Sequence, residues 1–340
     1  MTEKPADDLS NLTLQAVRAR YAELSDAIVQ TPMVRASSRL MDDTFGGEFY
    51  LKLECFQHTG TFKARGALSV ARTISQADLA KGITAASAGN HAIAAAWAAR
   101  HVGAHAKVVM QSAANPFRVA MAKAEGAELI IMDGGVAVIG EAQRLARDEG
   151  RTFIHPFEGI NTTLGSAGVG VEMMQSVPDL DAVIVSVGGG GLISGVASAI
   201  KLINPDCAVY GVEPQGADSM SRSLAQGAPV TLDRLDTIAD SLAPPMALPF
   251  SFSVVQRYVD DIVTISDDQI CAGMVIAQEH CKLAVEPAAG AALAAAFGPL
   301  RARLMGKRIG VLICGANIDH ATYAQLLTRG ALAVSALTGR

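Results

Sequence analysis

Three segments of the chain carry residue types that could do chemistry together. Lys63 lies among small and apolar residues at the start of a helix-like run. The run Ser87-Ala88-Gly89-Asn90-His91 is rich in amide donors, and four consecutive glycines occupy positions 188–191. Most lysines are solvated surface charges, but a desolvated lysine amine can attack a carbonyl group and form an imine. A lysine beside two donor-rich turns therefore suggests an aldehyde cofactor.

The four glycines follow an apolar strand-like run and precede a helix-like one. Glycine permits close backbone approach, and the free N–H groups of a helix N-terminus favour a phosphate. The run fits neither the Gly-x-Gly-x-x-Gly pattern nor a P-loop, which disfavours an NAD-dependent oxidoreductase. A tight turn without a ligand is the alternative. Together with Lys63, the glycines predict pyridoxal 5′-phosphate (PLP), an aldehyde that carries a phosphate.

Composition narrows the class of protein. Of the 340 residues, 50% are hydrophobic and 18% are charged, with a net charge of −5, which is typical of a globular protein with one large or two modest domains. This balance argues against a nucleic-acid or membrane-surface partner. The five cysteines are scattered and the N-terminus lacks a signal-peptide pattern. We therefore expect reduced thiols and a cytoplasmic location.

Short apolar runs alternate with helix-like segments along the chain. We predict strands over residues 49–53, 107–110, 129–132, 182–187, 209–212 and 309–313. We predict helices over residues 90–101, 116–125, 136–149, 192–202, 267–280 and 287–304. The uncharged stretch 182–200 is long enough to span a bilayer, but its five glycines favour a strand, a turn and a helix. This alternation predicts an α/β fold with parallel sheets, whose ligands bind beyond the carboxyl ends of the strands.

These motifs resemble those of the fold-type II PLP-dependent enzymes, in the threonine/serine dehydratase and serine racemase branch. The resemblance runs from about residue 28 to residue 319. It implies a tryptophan synthase β-like fold with two open α/β domains and mostly parallel sheets. Residues 1–52 and 153–330 would form the large PLP-binding domain and residues 53–152 the small one, with a C-terminal tail over 331–340. A homodimer is usual in this branch.

The resemblance also assigns roles to individual residues. Lys63 resembles the Schiff-base lysine, and Ser87 is the second candidate catalytic residue. The cofactor would contact Phe62, Lys63, Asn90, Gly188, Gly189, Gly190, Gly191, Leu192, Glu286 and Cys314. The substrate would contact Ser87, Ala88, Gly89, Asn90 and His91. Cys314 stands where this branch has Ser or Cys facing the pyridine nitrogen, and a neutral group there suits β-elimination.

The sequence departs from the family pattern at two positions. Ala88 occupies the place where racemases have a second serine, which serves as acid/base on the opposite face, so we expect little racemisation. Glu213 and Ala217 match ligands of the divalent cation site found in this branch, but Ser219 replaces its second carboxylate. Since hard cations prefer charged oxygens, no firm metal site is predicted.

The expected reaction is α,β-elimination from an L-β-hydroxy amino acid such as threonine, serine or 3-hydroxyaspartate, which yields a 2-oxo acid and ammonia. A β-replacement synthase and an amino acid racemase are the alternatives, and a PLP binder without catalysis is a further one. His58, His91 and His320 are interpreted as structural, because the lysine amine can move the proton itself. The stretch 239–250 resembles a subgroup linked to hydroxyectoine breakdown, and a catabolic role is expected.

Overall fold

Two β-sheets with helices packed on them make up the computed structural model, which describes residues 8–339. The strands are β1 (Met33–Arg35), β2 (Glu48–Leu53), β3 (Ile83–Ala86), β4 (Ala106–Gln111), β5 (Glu128–Met132), β6 (Thr152–Phe153), β7 (Ala182–Ser186), β8 (Ala208–Pro214), β9 (Asp261–Ile265) and β10 (Arg308–Ile313). The six-stranded sheet has the order β1-β2-β10-β7-β8-β9, and the four-stranded sheet has the order β5-β4-β3-β6.

Nearly all neighbouring strands run parallel; β1 pairs antiparallel with β2. Parallel strands that carry helices on both faces are apolar on both sides. The central strand β7 follows this rule, since all five residues of its sequence AVIVS are buried. The predicted α/β class with mostly parallel sheets is confirmed.

The helices begin at recognisable signals. They are α1 (Leu14–Leu24), α2 (Arg39–Phe45), α3 (Lys63–Ala71), α4 (Gln76–Leu79), α5 (Asn90–His101), α6 (Pro116–Ala124), α7 (Gly135–Asp148), α8 (Ile160–Ser176), α9 (Gly191–Ile203), α10 (Ser219–Gln226), α11 (Pro249–Tyr258), α12 (Asp267–His280), α13 (Pro287–Phe297), α14 (Arg301–Leu304), α15 (His320–Ala331) and α16 (Val334–Thr338). Ser266 and Gln269 form a capping box for α12. Helices α6, α11 and α13 start with proline, which suits this position because the first N–H groups of a helix have no partner within it.

All six predicted strands are present, and five of the six predicted helices have nearly the expected bounds. The prediction of one helix over 287–304 is wrong. Helix α13 ends at Phe297, because Gly298 leaves the helical region with φ −99° and ψ −112° and is followed by Pro299, which cannot donate a hydrogen bond. The sequence prediction missed β1, β3 and β6, which have at most four residues, and it also missed β9.

The four-stranded sheet spans residues 83–153, close to the limits predicted for the small domain. The proposed domain boundaries themselves stay a prediction. The predicted tail contains helix α16, whose Leu337 is buried. No helix among the described residues is long and apolar enough to cross a membrane.

A buried cluster of four charges joins α3 to the six-stranded sheet. Glu172 on α8 accepts from Lys52 Nζ at 2.5 Å and from Arg65 Nη1 at 2.8 Å. Arg65 also donates to Glu54 at 2.8 Å, and each of the four side chains is at most 1% exposed. Two cations and two anions balance one another, which buried charges require. Arg65 thereby fixes the first turn of α3.

We expect Glu172→Ala to lower the free energy of unfolding by about 3–5 kcal/mol, because it leaves the buried Lys52 without a carboxylate and Arg65 with Glu54 alone. Thermal and denaturant unfolding measure this loss. Glu141→Ala is the matched control, because it removes one of the two partners of Arg144 on the surface of α7 and should leave the midpoint unchanged. Equal midpoints for the two variants would contradict the role given to the cluster.

Candidate active site

The three chemically notable segments meet at one cleft, which the Ser87 to His91 segment reaches through Asn90. All the residues predicted to bind the cofactor line it: Phe62, Lys63, Asn90, Gly188, Gly189, Gly190, Gly191, Leu192, Glu286 and Cys314. Ser186, at the carboxyl end of β7, also borders the cleft. This position agrees with the rule that ligands bind beyond the carboxyl ends of parallel strands.

Lys63 is the first residue of α3. The preceding residue is anchored, because Phe62 N–H donates to the carbonyl of Cys314 at 3.1 Å. Lys63 Nζ donates to the carbonyl of Pro156 at 2.6 Å and lies 5.0 Å from the centre of the Phe62 ring. Burial lowers the pKa of Lys63 to about 8, although the nearby Cys314 and Glu286 side chains oppose this shift. The amine is therefore far more nucleophilic at neutral pH than an ordinary lysine.

The glycines form a turn that leaves no space for side chains. A Cβ atom on Gly189 would lie 2.3 Å from the Phe157 ring, and one on Gly191 would lie 2.7 Å from Phe157 Cα. Gly190 has a φ of 90°, in the left-handed region that favours glycine. Helix α9 begins here and receives no side-chain cap from the part of the chain that is described. Its first N–H groups are free to bind an anion, so the turn fits a phosphate group.

The turn from Ser87 to His91 joins β3 to α5. Ser87 Oγ accepts from Gly89 N–H at 3.1 Å, so its own hydrogen can be donated to a ligand. Gly89 is the N-cap of α5, and the N–H groups of the next two residues belong to the unpaired first turn. These groups could bind a carboxylate. The methyl side chain of Ala88, in contrast, cannot donate or accept a proton.

Asn90 is held by residues from the six-stranded side of the cleft. Its Nδ2 donates to Glu286 Oε1 and Oε2 at 2.8 and 2.9 Å, and its Oδ1 accepts from Asn317 Nδ2 at 2.9 Å. Burial raises the pKa of Glu286, while the Arg118 guanidinium and the Asn90 hydrogen bond oppose this shift. The orientation of the Asn90 amide is thereby fixed.

The ring-facing candidate Cys314 is 2% exposed. Burial raises the pKa of its thiol well above the usual value, and the Glu286 charge adds to this effect. Cys314 is therefore a neutral thiol at physiological pH. The expected role of Cys314, an uncharged group facing the pyridine nitrogen, stays a prediction.

Two histidines lie near Lys63. Burial, followed by the nearby Lys63 charge, lowers the pKa of His91 to about 3 and that of His155 to about 4. His91 Nε2 pairs with the carbonyl of Ile154 at 2.9 Å, and His155 Nδ1 accepts from Glu158 N–H at 2.9 Å. Both imidazoles stay neutral at physiological pH and hold backbone in place. His58, in contrast, stacks on Trp97 with ring centres 5.0 Å apart.

Sequence reasoning missed the segment His155-Pro156-Phe157, which supplies the acceptor for Lys63 and the wall behind the glycines. Its signal was its place directly after β6, although a strand of two residues is hard to recognise. Arg118 and the side chain of Asn317 were missed as well. Only a tertiary contact distinguishes such residues from surface ones.

The weak metal candidates have other contacts. Glu213 accepts from Met220 N–H at 2.9 Å and from Ser221 N–H and Oγ at 2.8 and 2.6 Å. Burial raises the pKa of Glu213 to about 7. Residues 8–339 contain no group of three or more His, Cys, Asp or Glu side chains that could hold a metal ion. Ala217 and Ser219 lie beside this carboxylate in sequence but do not complete a set of charged ligands.

Comparison with known proteins explains the arrangement. The family model for pyridoxal-phosphate dependent enzymes matches residues 24–315. The chain belongs to this family. It is 44% identical to the phenylserine dehydratase of Ralstonia pickettii over 93% of this chain and 97% of that one. It is 33% identical to the L-threonine ammonia-lyase of Thermotoga maritima over 94% of this chain and 79% of that one.

Solved structures of proteins in this PLP-dependent family have the same fold. The structure of maize serine racemase superposes with a TM-score of 0.87 and 33% sequence identity. The match covers 94% of this chain and 98% of the maize chain. The predicted family, fold type and cofactor are therefore confirmed. The free α9 N-terminus, the excluded side chains at the glycines and the buried amine of Lys63 fit PLP. When bound, PLP supplies an aldehyde for a lysine amine and a ring that withdraws electrons from the substrate α-carbon.

The lowered pKa of Lys63 predicts the pH dependence of PLP loading. Only the neutral amine reacts with the aldehyde. With a pKa of about 8, about half of the Lys63 amines are neutral at pH 8, whereas about 1 in 300 ordinary lysine amines is neutral at that pH. The rate at which apoprotein gains visible absorbance should rise from pH 7 to pH 9 and then level off. The rate of Nα-acetyl-lysine, measured in parallel and divided by the neutral fraction of its own amine, corrects for the titration of PLP. A corrected rate that still rises tenfold per pH unit above pH 9 would contradict this assignment.

Proposed function

We propose that this PLP-dependent lyase acts on L-β-hydroxy amino acids with an uncharged β-substituent, and that it prefers aromatic substituents of the phenylserine kind. The products are a 2-oxo acid and ammonia. The class of reaction is that of its relatives, which include ammonia-lyases for phenylserine and threonine. The 44% identity to a phenylserine dehydratase over nearly the full length of both chains supports the aromatic preference.

The charge distribution in the cleft carries the proposal. Among the described residues that line it, Lys63 is the one cation and Glu286 the one anion. Glu286 is paired with Asn90, and Lys63 is reserved for the cofactor aldehyde. A second carboxylate on the substrate, as in 3-hydroxyaspartate, would enter without a counter-ion, which is costly at a desolvated site. Apolar groups of Phe157 and Leu242 line the cleft as well.

The residues of this chain would divide the work as follows. The Ser87 hydroxyl and the first N–H groups of α5 bind the substrate carboxylate and orient the α-carbon. Lys63 Nζ takes the α-proton, for which it must be neutral, and its pKa of about 8 makes this accessible. The carbonyl of Pro156, 2.6 Å from Nζ, holds the amine when it is not bonded elsewhere.

The cellular setting remains part of the proposal. The five cysteines are free thiols, which supports a reducing compartment such as the cytoplasm. A homodimer, a catabolic role and the likeness of residues 239–250 to the hydroxyectoine subgroup stay predictions. Ser241 and Leu242 of that stretch border the cleft, which supports its influence on substrate choice.

A substrate series tests the proposal. With holoenzyme, we expect kcat/KM for L-phenylserine to exceed that for L-threo-3-hydroxyaspartate by about 10²-fold or more, since an unpaired charge is excluded. L-Threonine and L-serine should lie between them, because they bury less apolar surface. Release of 2-oxo acid and ammonia is measured for each compound.

Lys63→Ala is the control for this series, and it should lose the visible absorbance of lysine-bound PLP and ~10³-fold or more of the activity. Hydroxyaspartate as the best substrate would overturn the proposed selectivity. A new amino acid formed when a thiol is added would instead favour a β-replacement synthase.

Ala88→Ser tests why racemisation should be weak. The added hydroxyl would lie on the carboxylate-binding turn and could donate a proton on the face away from Lys63. We expect D-serine formation from L-serine to rise by at least tenfold over a very low level, as chiral chromatography measures. Ala88→Gly is the matched control and should show no rise. Equal racemisation in both variants would mean that Ala88 is not the limiting feature.

A further inference from the structure

Arg118 is a buried cation near the cleft to which no role has been given so far. It lies on α6 and is 5% exposed. Its guanidinium makes three directed contacts: Nε donates to the carbonyl of Asn317 at 3.0 Å, Nη1 donates to Asp240 at 2.5 Å, and Nη2 lies 3.7 Å from Glu286. A buried arginine with three separate partners is fixed in position.

These three partners come from different parts of the fold. Helix α6 follows β4 of the four-stranded sheet, whereas Asn317 follows β10 of the six-stranded sheet and Glu286 is the N-cap of α13. Asp240 adjoins Ser241 and Leu242, which border the cleft. Arg118 therefore connects the helix layer of one sheet to three segments on the other side of the cleft.

Arg118 also supports the turn that is expected to bind the substrate carboxylate. A Cβ atom on Gly89 would lie 3.1 Å from Arg118 Nη1, so the guanidinium packs directly against the backbone of that turn. A side chain at position 89 would press on the cation, so glycine suits this close approach. A positive charge thus lies against the turn that carries the N–H groups of Asn90 and His91.

The same guanidinium touches both partners of Asn90. Glu286 receives the Asn90 amide hydrogens and Asn317 donates to the Asn90 amide oxygen. Arg118 is next to the first and bonded to the second. Without this cation, Glu286 would be a buried carboxylate, 1% exposed, that keeps only the Asn90 amide among these contacts. Such a group reorganises or takes up a proton, and Asn90 would move with it.

We propose that Arg118 is a positioning residue that fixes the carboxylate-binding turn together with the Asn90 amide on it and, through Asp240, holds the cleft-bordering segment in place. This inference deepens the proposed function and rests on it for the substrate part. The Asp240 contact serves the substrate side, whereas the contacts to Glu286 and Asn317 serve the cofactor side. The two parts can be separated by mutation.

Three variants and one control test this division. Arg118→Met removes all three contacts, so we expect PLP affinity of the apoprotein to fall about tenfold and KM for the amino acid to rise about tenfold. Asp240→Asn should raise KM severalfold and leave PLP affinity unchanged. Arg118→Lys keeps the charge but cannot make all three contacts at once. Its PLP affinity should therefore return close to the wild-type value, whereas its KM should stay nearly as high as that of Arg118→Met.

Arg100→Met is the matched control. Arg100 lies on the neighbouring α5 and forms a surface ion pair, at 2.5 Å, with Glu125 at the C-terminal end of α6. This variant should match the wild type in every measurement. PLP affinity is measured by absorbance titration of apoprotein, and KM and kcat are measured with the preferred hydroxy amino acid. The melting temperature of each variant is recorded as well.

The readouts separate positioning from general stability. If Arg118→Met lowers kcat in proportion to the folded fraction, with KM and PLP affinity unchanged, the residue is merely structural and the inference is wrong. Unchanged values in all three variants would also overturn it. If no hydroxy amino acid is turned over, the proposed function fails, and the PLP titrations still decide whether Arg118 positions Asn90.

Discussion

The carboxylate of Glu172 binds two buried cations, Lys52 at 2.5 Å and Arg65 at 2.8 Å, and the position of Lys63 depends on it. Arg65 lies two residues after Lys63 in α3, while Lys52 lies on β2. The attraction between these charges is strong because no water screens them. A lysine with a flexible side chain becomes a directed amine because the helix that carries it cannot shift.

The candidate site lies between the two sheets and takes residues from segments next to both of them. Phe62 N–H bonds to the carbonyl of Cys314, and Thr61 forms a bridge with Gly315. These contacts join the segment before α3 to the segment after β10, so the lysine and the thiol face the same cleft. The α5 turn arrives from the other sheet and is bound through Asn90 and Glu286. Any movement between the sheets therefore changes the distance between the substrate-binding turn and the lysine.

Motifs that act through backbone geometry could be recognised from sequence alone. Gly189 and Gly191 must be glycines because Phe157 occupies the space of their side chains, and Gly190 has a φ of 90° that favours glycine. A run of four glycines is visible without a structure. The strongly apolar strands were found for a similar reason, since burial on both faces leaves a continuous pattern. Helix 287–304 was overextended because its alanine-rich composition hid the break at Gly298.

Residues that act through long-range contacts could not be found in this way. Arg118 lies in an ordinary amphipathic helix, and its partners are 122 and 199 positions away in sequence. His155 and Pro156 follow a strand of two residues. Nothing in their local sequence distinguishes them from loop residues, because their role arises only when Lys63 is placed next to them. Sequence reasoning therefore found the two donor-rich turns that border the cleft and missed the groups that orient them.

The thiol that lines the cleft has a consequence for resistance to oxidants. Burial raises the pKa of Cys55 and Cys271 to about 11 and of Cys207 and Cys281 to about 12, and that of Cys314 is raised as well. Peroxides and alkylating agents attack the thiolate, which is scarce for such groups near neutral pH. The folded protein thus keeps a sulfur atom in its reactive centre without exposing a reactive sulfur. Modification of these thiols by such agents should therefore be slow in the folded chain and faster once the chain unfolds.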